Sequence, residues 1–176
     1  MSIEPALLQI LNFPDPRLRK VCATVDRFDE PLARLAERLL ELMNEAKGIG
    51  LAAPQVGVLV RLFVCNVSGK PEDDLVMVNP TLTPAGDTVV SEEGCLSIPD
   101  VTVTVTRRCE CTVDAFDLSG RPIQWTGEQL VARCWQHECD HLDGRLIIDR
   151  MPPADRIANR RVLKQLEAEY ARRDSA

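Results

Sequence analysis

The spacing of apolar residues changes period twice along this chain, which confines it to a fold that mixes helices with a sheet. Leu32, Leu35, Leu39, Leu42, Met43 and Ala46 recur at helical spacing. Asp29, Glu30 and Pro31 mark the start of that helix, since acids suit the positive end of the dipole and proline is tolerated in the first turn. Gly48 stops it. From about residue 57 to 126 the texture turns to short β-branched runs: Val58–Val67, Leu75–Val78, Val101–Thr106, Cys111–Phe116 and a run near Ile123. Breaks are expected at Pro80, at Pro84-Ala85-Gly86, at Pro99-Asp100 and at Ser119-Gly120. Helical spacing then returns. Thr126-Gly127-Glu128-Gln129 fits a capping box, so a second helix is expected through His141 to about Leu142, stopped by Gly144. Leu146–Asp149 reads as a last strand, and Pro152-Pro153 opens a C-terminal helix over about 154–173. The expectation is one α+β domain over residues 1–176, its mainly antiparallel strands set around a central helix.

Composition narrows the classes of function. A net charge of −6 argues against a general nucleic-acid binder, so no DNA partner is expected. The longest apolar stretches, Val56–Val60 and Leu62–Cys65, are too short to span a membrane. The opening Met1-Ser2-Ile3-Glu4-Pro5 lacks the basic residues of an export signal. Seven cysteines, an odd number without framework spacing, read as free thiols in a reducing, cytoplasmic setting.

Both histidines of the chain fall in Gln136-His137-Glu138-Cys139-Asp140-His141. On a helix, residues four apart share a face, so His137 and His141 can present two imidazoles to one ion. Glu138 then leans over the edge of that ion, placed to handle the proton of a water. Cys139 faces roughly the opposite side and is excluded as a ligand. Two histidines leave a catalytic metal one protein ligand short. Upstream stands Cys95 in Glu93-Gly94-Cys95-Leu96-Ser97, a turn-like context between strand regions. A thiolate there would suit Fe(II), Zn(II) or Co(II), although by itself Cys95 reads more readily as a packed core thiol than as a ligand. Cys109 and Cys111 share a strand face but have no further ligands near them.

Three separated motifs together resemble the peptide deformylase family. They are Gly48-Ile49-Gly50-Leu51-Ala52-Ala53-Pro54-Gln55, Glu93-Gly94-Cys95-Leu96-Ser97 and Gln136-His137-Glu138-Cys139-Asp140-His141-Leu142. Val78-Asn79-Pro80 and the Pro14–Arg19 entry are similar to the family as well, so the resemblance runs from about residue 9 to 150. It implies a metal-dependent hydrolase that removes the formyl group from the formyl-methionine of newly made polypeptides. It implies that Cys95, His137 and His141 bind one divalent ion, that the central helix is the metal-binding one, and that Glu138 is the acid/base residue. Fe(II) is the metal the resemblance favours, with Zn(II), Ni(II) or Co(II) compatible with the same donors. By similarity, the side-chain amide of Gln55 and the backbone N–H of Leu96 stabilise the oxyanion. Read alone, Gln55 is a polar residue after a proline. Gly50, with Gly48, would offer backbone to an extended peptide, as an added strand does. Asp140 is a candidate partner for a ligand or for a nearby arginine.

Two other readings fit parts of the pattern. A peptidase with H-E-x-x-H would normally add a third histidine or a glutamate downstream, and no histidine remains. A closed structural metal site would need four ligands. The tail carries a separate signal. Residues 154–176 hold a net +2 against −8 for the rest of the chain. Arg156, Arg160, Arg161, Lys164 and Arg172 fall on one helical arc, with Val162, Leu163, Leu166 and Tyr170 opposite. Such a helix could dock by its apolar stripe and offer its basic stripe to ribosomal RNA. An ordinary solvated face explains the same pattern, since Glu167 lies within the basic arc.

Overall fold

Helix α1 spans Glu30–Glu45 in the structure, a computed structural model that describes residues 5–173. The Asp29 carboxylate accepts the Leu32 N–H at 3.4 Å, and Pro31 sits in the first turn. The helix does not end on glycine. Lys47 takes the left-handed conformation (φ 55°), and the Gly48 N–H closes back onto the Met43 carbonyl at 2.8 Å. A Cβ at Gly48 would lie 2.7 Å from the end of the Leu96 side chain, which would have to shift to admit it.

Five strands follow, β1 (Gly50–Ala52), β2 (Leu62–Cys65), β3 (Leu75–Cys95), β4 (Ile98–Phe116) and β5 (Pro122–Glu128). They pair antiparallel in the order β1-β2-β3-β4-β5, with β1 at one edge. The strands near Leu75 and Val101 are far longer than their β-branched runs, and most of the expected breaks are absorbed inside them. A register shift between Val78 and Thr81 carries β3 past Pro80, and a second between Ala85 and Thr88 falls at Gly86, while Pro84 stays in register opposite Cys111. A bulge leaves residues unpaired where proline has no N–H to give. Asn79, at φ 51°, is held by its amide to the backbone of Val25 at 2.8 and 2.9 Å. A larger shift between Glu93 and Cys95 absorbs Pro99-Asp100. Only Ser119-Gly120 forms a true break, the turn between β4 and β5.

Helix α2 runs Gln129–Leu142. No capping box opens it: Thr126 pairs with Thr112 in β5, and no side chain caps the helix. The ladder to β4 holds this segment as strand up to Glu128, which outweighs a local cap. Gly144 stops the helix in the left-handed region, at φ 71°. Leu146–Asp149 is not a strand. Ile147–Asp149 forms one 3-10 turn, tied by the Asp149 carboxylate to the Leu146 N–H at 2.8 Å. The C-terminal helix is two helices, α3 (Pro153–Ala158) and α4 (Arg160–Arg173). Asn159 joins them, its amide donating to the Thr102 carbonyl at 2.9 Å. Asp174 of the tail and the Met1–Glu4 opening lie outside the described residues.

The sheet is covered on both faces near β2. Leu62 and Val64 pack with Leu35, Leu39 and Met43 of α1, while Phe63 and Cys65 pack with Ala132, Trp135 and Leu142 of α2. Burying β2 on both sides explains its unbroken apolar run. A third cluster joins Ile98, Val101, Val103 and Val105 of β4 to Leu146, Ile147 and Leu166, so α4 docks on the β3–β4 arm. Among the described residues no helix is long and apolar enough to cross a membrane.

Candidate metal centre

Cys95 ends β3, and Cys95 pairs with Ile98 across a turn made by Leu96 and Ser97. This turn meets the buried face of α2. There the Cys95 Sγ lies 3.3 Å from His141 Nε2, which lies 3.2 Å from His137 Nε2. Three donors around one tetrahedral ion would sit roughly 3.4–3.6 Å apart, given metal–sulfur and metal–nitrogen bonds of about 2.3 and 2.1 Å. The cluster is the one group of such donors among the described residues, all within 4.8 Å of one another. Cys139 is not part of it.

The electrostatics fit a divalent cation. Burial pushes the Cys95 thiol up to about 12, helped by the charges of Glu138 and Glu93, so a positive ion is what would stabilise its thiolate. Burial, with the charges of His137 and Arg107, holds His141 well below the usual histidine range, in the neutral form that can coordinate. Glu138 is 3 % exposed, and burial drives its carboxyl well above the usual carboxylate range. Its Oε2 is buried and bonds to no group among the described residues.

The neighbours of the cluster hold it in orientation. The Glu93 carboxylate meets His137 Nδ1 at 3.2 Å and is gripped by Arg107 through two bonds of 2.6 and 2.8 Å. Arg107 also donates to Asp140 at 2.8 Å, and Arg150 clamps Asp140 from the other side. Asp140 is therefore an arginine partner. The roles of Glu93 and Arg107 were not read from the sequence. A signal existed: Arg107 falls on the inward face set by Val101, Val103 and Val105, where a charge demands a buried partner.

Gln55 stands beside the cluster, 1 % exposed, in the short 3-10 turn that follows β1. Its Oε1 accepts the Ala52 N–H at 2.8 Å, which turns its Nε2 toward Ser97 Oγ (3.1 Å) and Cys95 Sγ (3.7 Å). Leu96 lines the same cleft of about 410 Å³ with Gly50, Gln55, His137 and Glu138. Gly50 is packed against the acid: a Cβ there would lie 2.4 Å from Glu138 Oε1 and 2.9 Å from Cys134 Sγ. No side chain fits between β1 and α2 at this point.

Comparison with known proteins decides what this arrangement belongs to. Residues 7–157 match the family model described as polypeptide deformylase. The chain belongs to the peptide deformylase family. Its relatives include the peptide deformylase of Hamiltonella defensa, 40% identical over 162 residues that span 92% of this chain and 93% of that protein. The Alkalilimnicola ehrlichii peptide deformylase is 43% identical over 162 residues, 92% of this chain and 91% of its own. Among solved structures, a Legionella pneumophila peptide deformylase superposes with a TM-score of 0.86 at 42% identity, covering 94% of this chain and 98% of that one. A plant peptide deformylase reaches a TM-score of 0.94 at 37% identity, covering 100% and 97%. With the deformylase family come its fold, mixed helices on an antiparallel sheet, and a metallohydrolase that acts on N-formylmethionine.

Proposed function

We propose that this chain deformylates the N-terminal formyl-methionine of nascent polypeptides. In this reading Cys95, His137 and His141 hold one divalent ion, and residues 1–176 act as one catalytic domain. The observation that carries the reading is the convergence of one thiol and two imidazoles beside a buried glutamate. A divalent cation on that donor set acidifies water and polarises a carbonyl. The chain's own groups do the rest. Glu138 takes the proton of the attacking water as its oxygen adds to the formyl carbon. It then gives that proton to the departing amine as the C–N bond breaks, leaving formate and a free N-terminus. Burial raises the proton affinity of Glu138, which suits a group that must both accept and return a proton. Gln55 Nε2 and the Leu96 N–H donate to the tetrahedral oxyanion. Glu93, facing His137 Nδ1, leaves Nε2 free for the ion. Gly50, on edge strand β1, offers backbone to an extended peptide.

Fe(II) is our reading of the native metal, resting on the family resemblance. Zn(II), Ni(II) and Co(II) accept the same donors. Seven unpaired thiols support a reducing, cytoplasmic location. The exposed Arg156, Arg160, Arg161 and Lys164, on helices whose Leu166 packs inward, support ribosome contact through the C-terminal segment.

The test combines metal analysis of anaerobically purified protein with a formyl-methionyl-peptide assay on the same sample. Cys95→Ala should lose metal on dialysis while Cys139→Ala keeps it. Equal retention would remove Cys95 from the site.

A further inference from the structure

Four arginines among the described residues are buried or half-buried: Arg38, Arg61, Arg107 and Arg133. Three are held by carboxylates, Arg38 by Glu41 and Glu45, Arg61 by Asp143, and Arg107 by Glu93 and Asp140. Arg133 is the exception. Its guanidinium makes no hydrogen bond or ion pair with any described residue. A solvent-reachable guanidinium on a cleft wall, with no carboxylate of the protein to hold it, is free to pair with an acidic group on whatever the cleft binds.

Its position says what that could be. Arg133 lies four residues before His137 on α2, so the two share a face with Cβ atoms roughly 5–6 Å apart. It lines the cleft of the candidate metal centre with Gly50, Leu130 and Glu138. On its other side it borders Val89 and Ser91 of the β3–β4 arm, which places it at the end of the cleft. The remaining unpaired charges are divided: Lys47 lies before β1, and Glu92 and Asp100 lie on the arm. A peptide extended beside β1 turns every second side chain to the same face, about 6.6–6.8 Å apart. With the formyl carbon at the cluster and the methionine side chain turned toward α2, the next side chain on that face would belong to the third residue.

We propose that Arg133 is a specificity-determining residue that selects formyl-peptides with an acidic third residue. This rests on the deformylase reading above. The contact is a partly solvated ion pair, so it sets a preference and leaves the chemistry alone.

The experiment measures kcat and KM for three amidated peptides: formyl-Met-Ala-Glu, formyl-Met-Ala-Lys and formyl-Met-Glu-Ala. The parent should favour the glutamate-third peptide over its lysine counterpart by about threefold to fivefold, mainly through KM, and less so at high salt. Arg133→Met should bring the ratio near one, Arg133→Lys should keep part of it, and Arg133→Glu should invert it. Ratios within each variant need no shared absolute activity. An unchanged ratio in Arg133→Met overturns the proposal, and so does an equal preference for glutamate at the second position. Inactivity of the parent on every formyl-peptide would overturn the deformylase reading, and this inference with it.

Discussion

Glu93 joins a candidate ligand to a buried arginine, and its titration has a definite consequence. Burial alone would raise its carboxyl, but hydrogen bonds from His137 and Arg107, with the charge of Arg107, outweigh that and hold it at about 2. A carboxyl depressed in the folded state contributes its stability in full above the ordinary value, and loses it as pH falls through the folded one. From an ordinary 4.5, the shift corresponds to roughly 3 kcal/mol. The thermal midpoint should therefore drop between about pH 5 and pH 2, and Glu93→Gln should flatten that part of the curve. Parallel curves for parent and variant would show that Glu93 does not drive the loss. Glu138 acts differently. Its side chain lies outside the donor cluster, so Glu138→Ala should keep metal while turnover falls by about 10²–10⁴-fold or more. Near-normal turnover would end its acid/base assignment.

Helix α4 is an element with two faces in unequal use. Leu166 is buried, with Val162 and Leu163 partly buried beside it, against Val101, Val103 and Val105 of the arm. Arg160, Arg161 and Lys164 face outward, continued by Arg156 of α3. Docking through the apolar stripe leaves the basic one available. If it meets ribosomal RNA, binding should weaken steeply with salt, because each phosphate contact releases counterions. Replacing Arg156, Arg160 and Lys164 together with glutamate should weaken ribosome binding further and lower the salt slope by about two to three. An unchanged unfolding midpoint would show the helix still docked. Ribosome binding as tight as the parent's at low salt would mean that these side chains are only a solvated surface.

At the scale of the molecule, the three candidate ligands join two distant parts of the chain: the turn closing β3 and β4, and the middle of α2. A cation bound there would tie the long hairpin to the central helix, and its binding energy would count toward folding. Chelation should therefore lower the midpoint. With free metal at about 100 times the dissociation constant, the loss is about 2.7 kcal/mol, or roughly 5–10 °C for a chain of this size. Cys95→Ala, weakened in metal binding, should show little further change with chelator. A midpoint indifferent to chelation in the parent would argue against the tie.

Local order was readable before any tertiary contact. Helix α1 follows from its leucine spacing, and the shared face of His137 and His141 follows from the pitch of a helix. Strand lengths were not readable in the same way. Pro80, Pro84 and Pro99 look like breaks in isolation, yet the partner strand pairs on either side: register shifts take up Pro80 and Pro99, and Pro84 stays in register opposite Cys111. Thr126 looks like a helix cap, but its pairing with Thr112 decides otherwise. Leu146–Asp149 has the composition of a strand without a neighbouring strand to pair with, so it turns and buries Leu146 and Ile147 in the third cluster. The site divides along the same line. Its two histidines lie within one helical turn, whereas Cys95 meets His141, Gln55 meets Cys95 and Arg107 meets Asp140 only through the packing of the hairpin and β1 on α2. Interactions within a turn or two are written in neighbouring residues. Those closed across thirty or more positions exist only once the sheet has set its register.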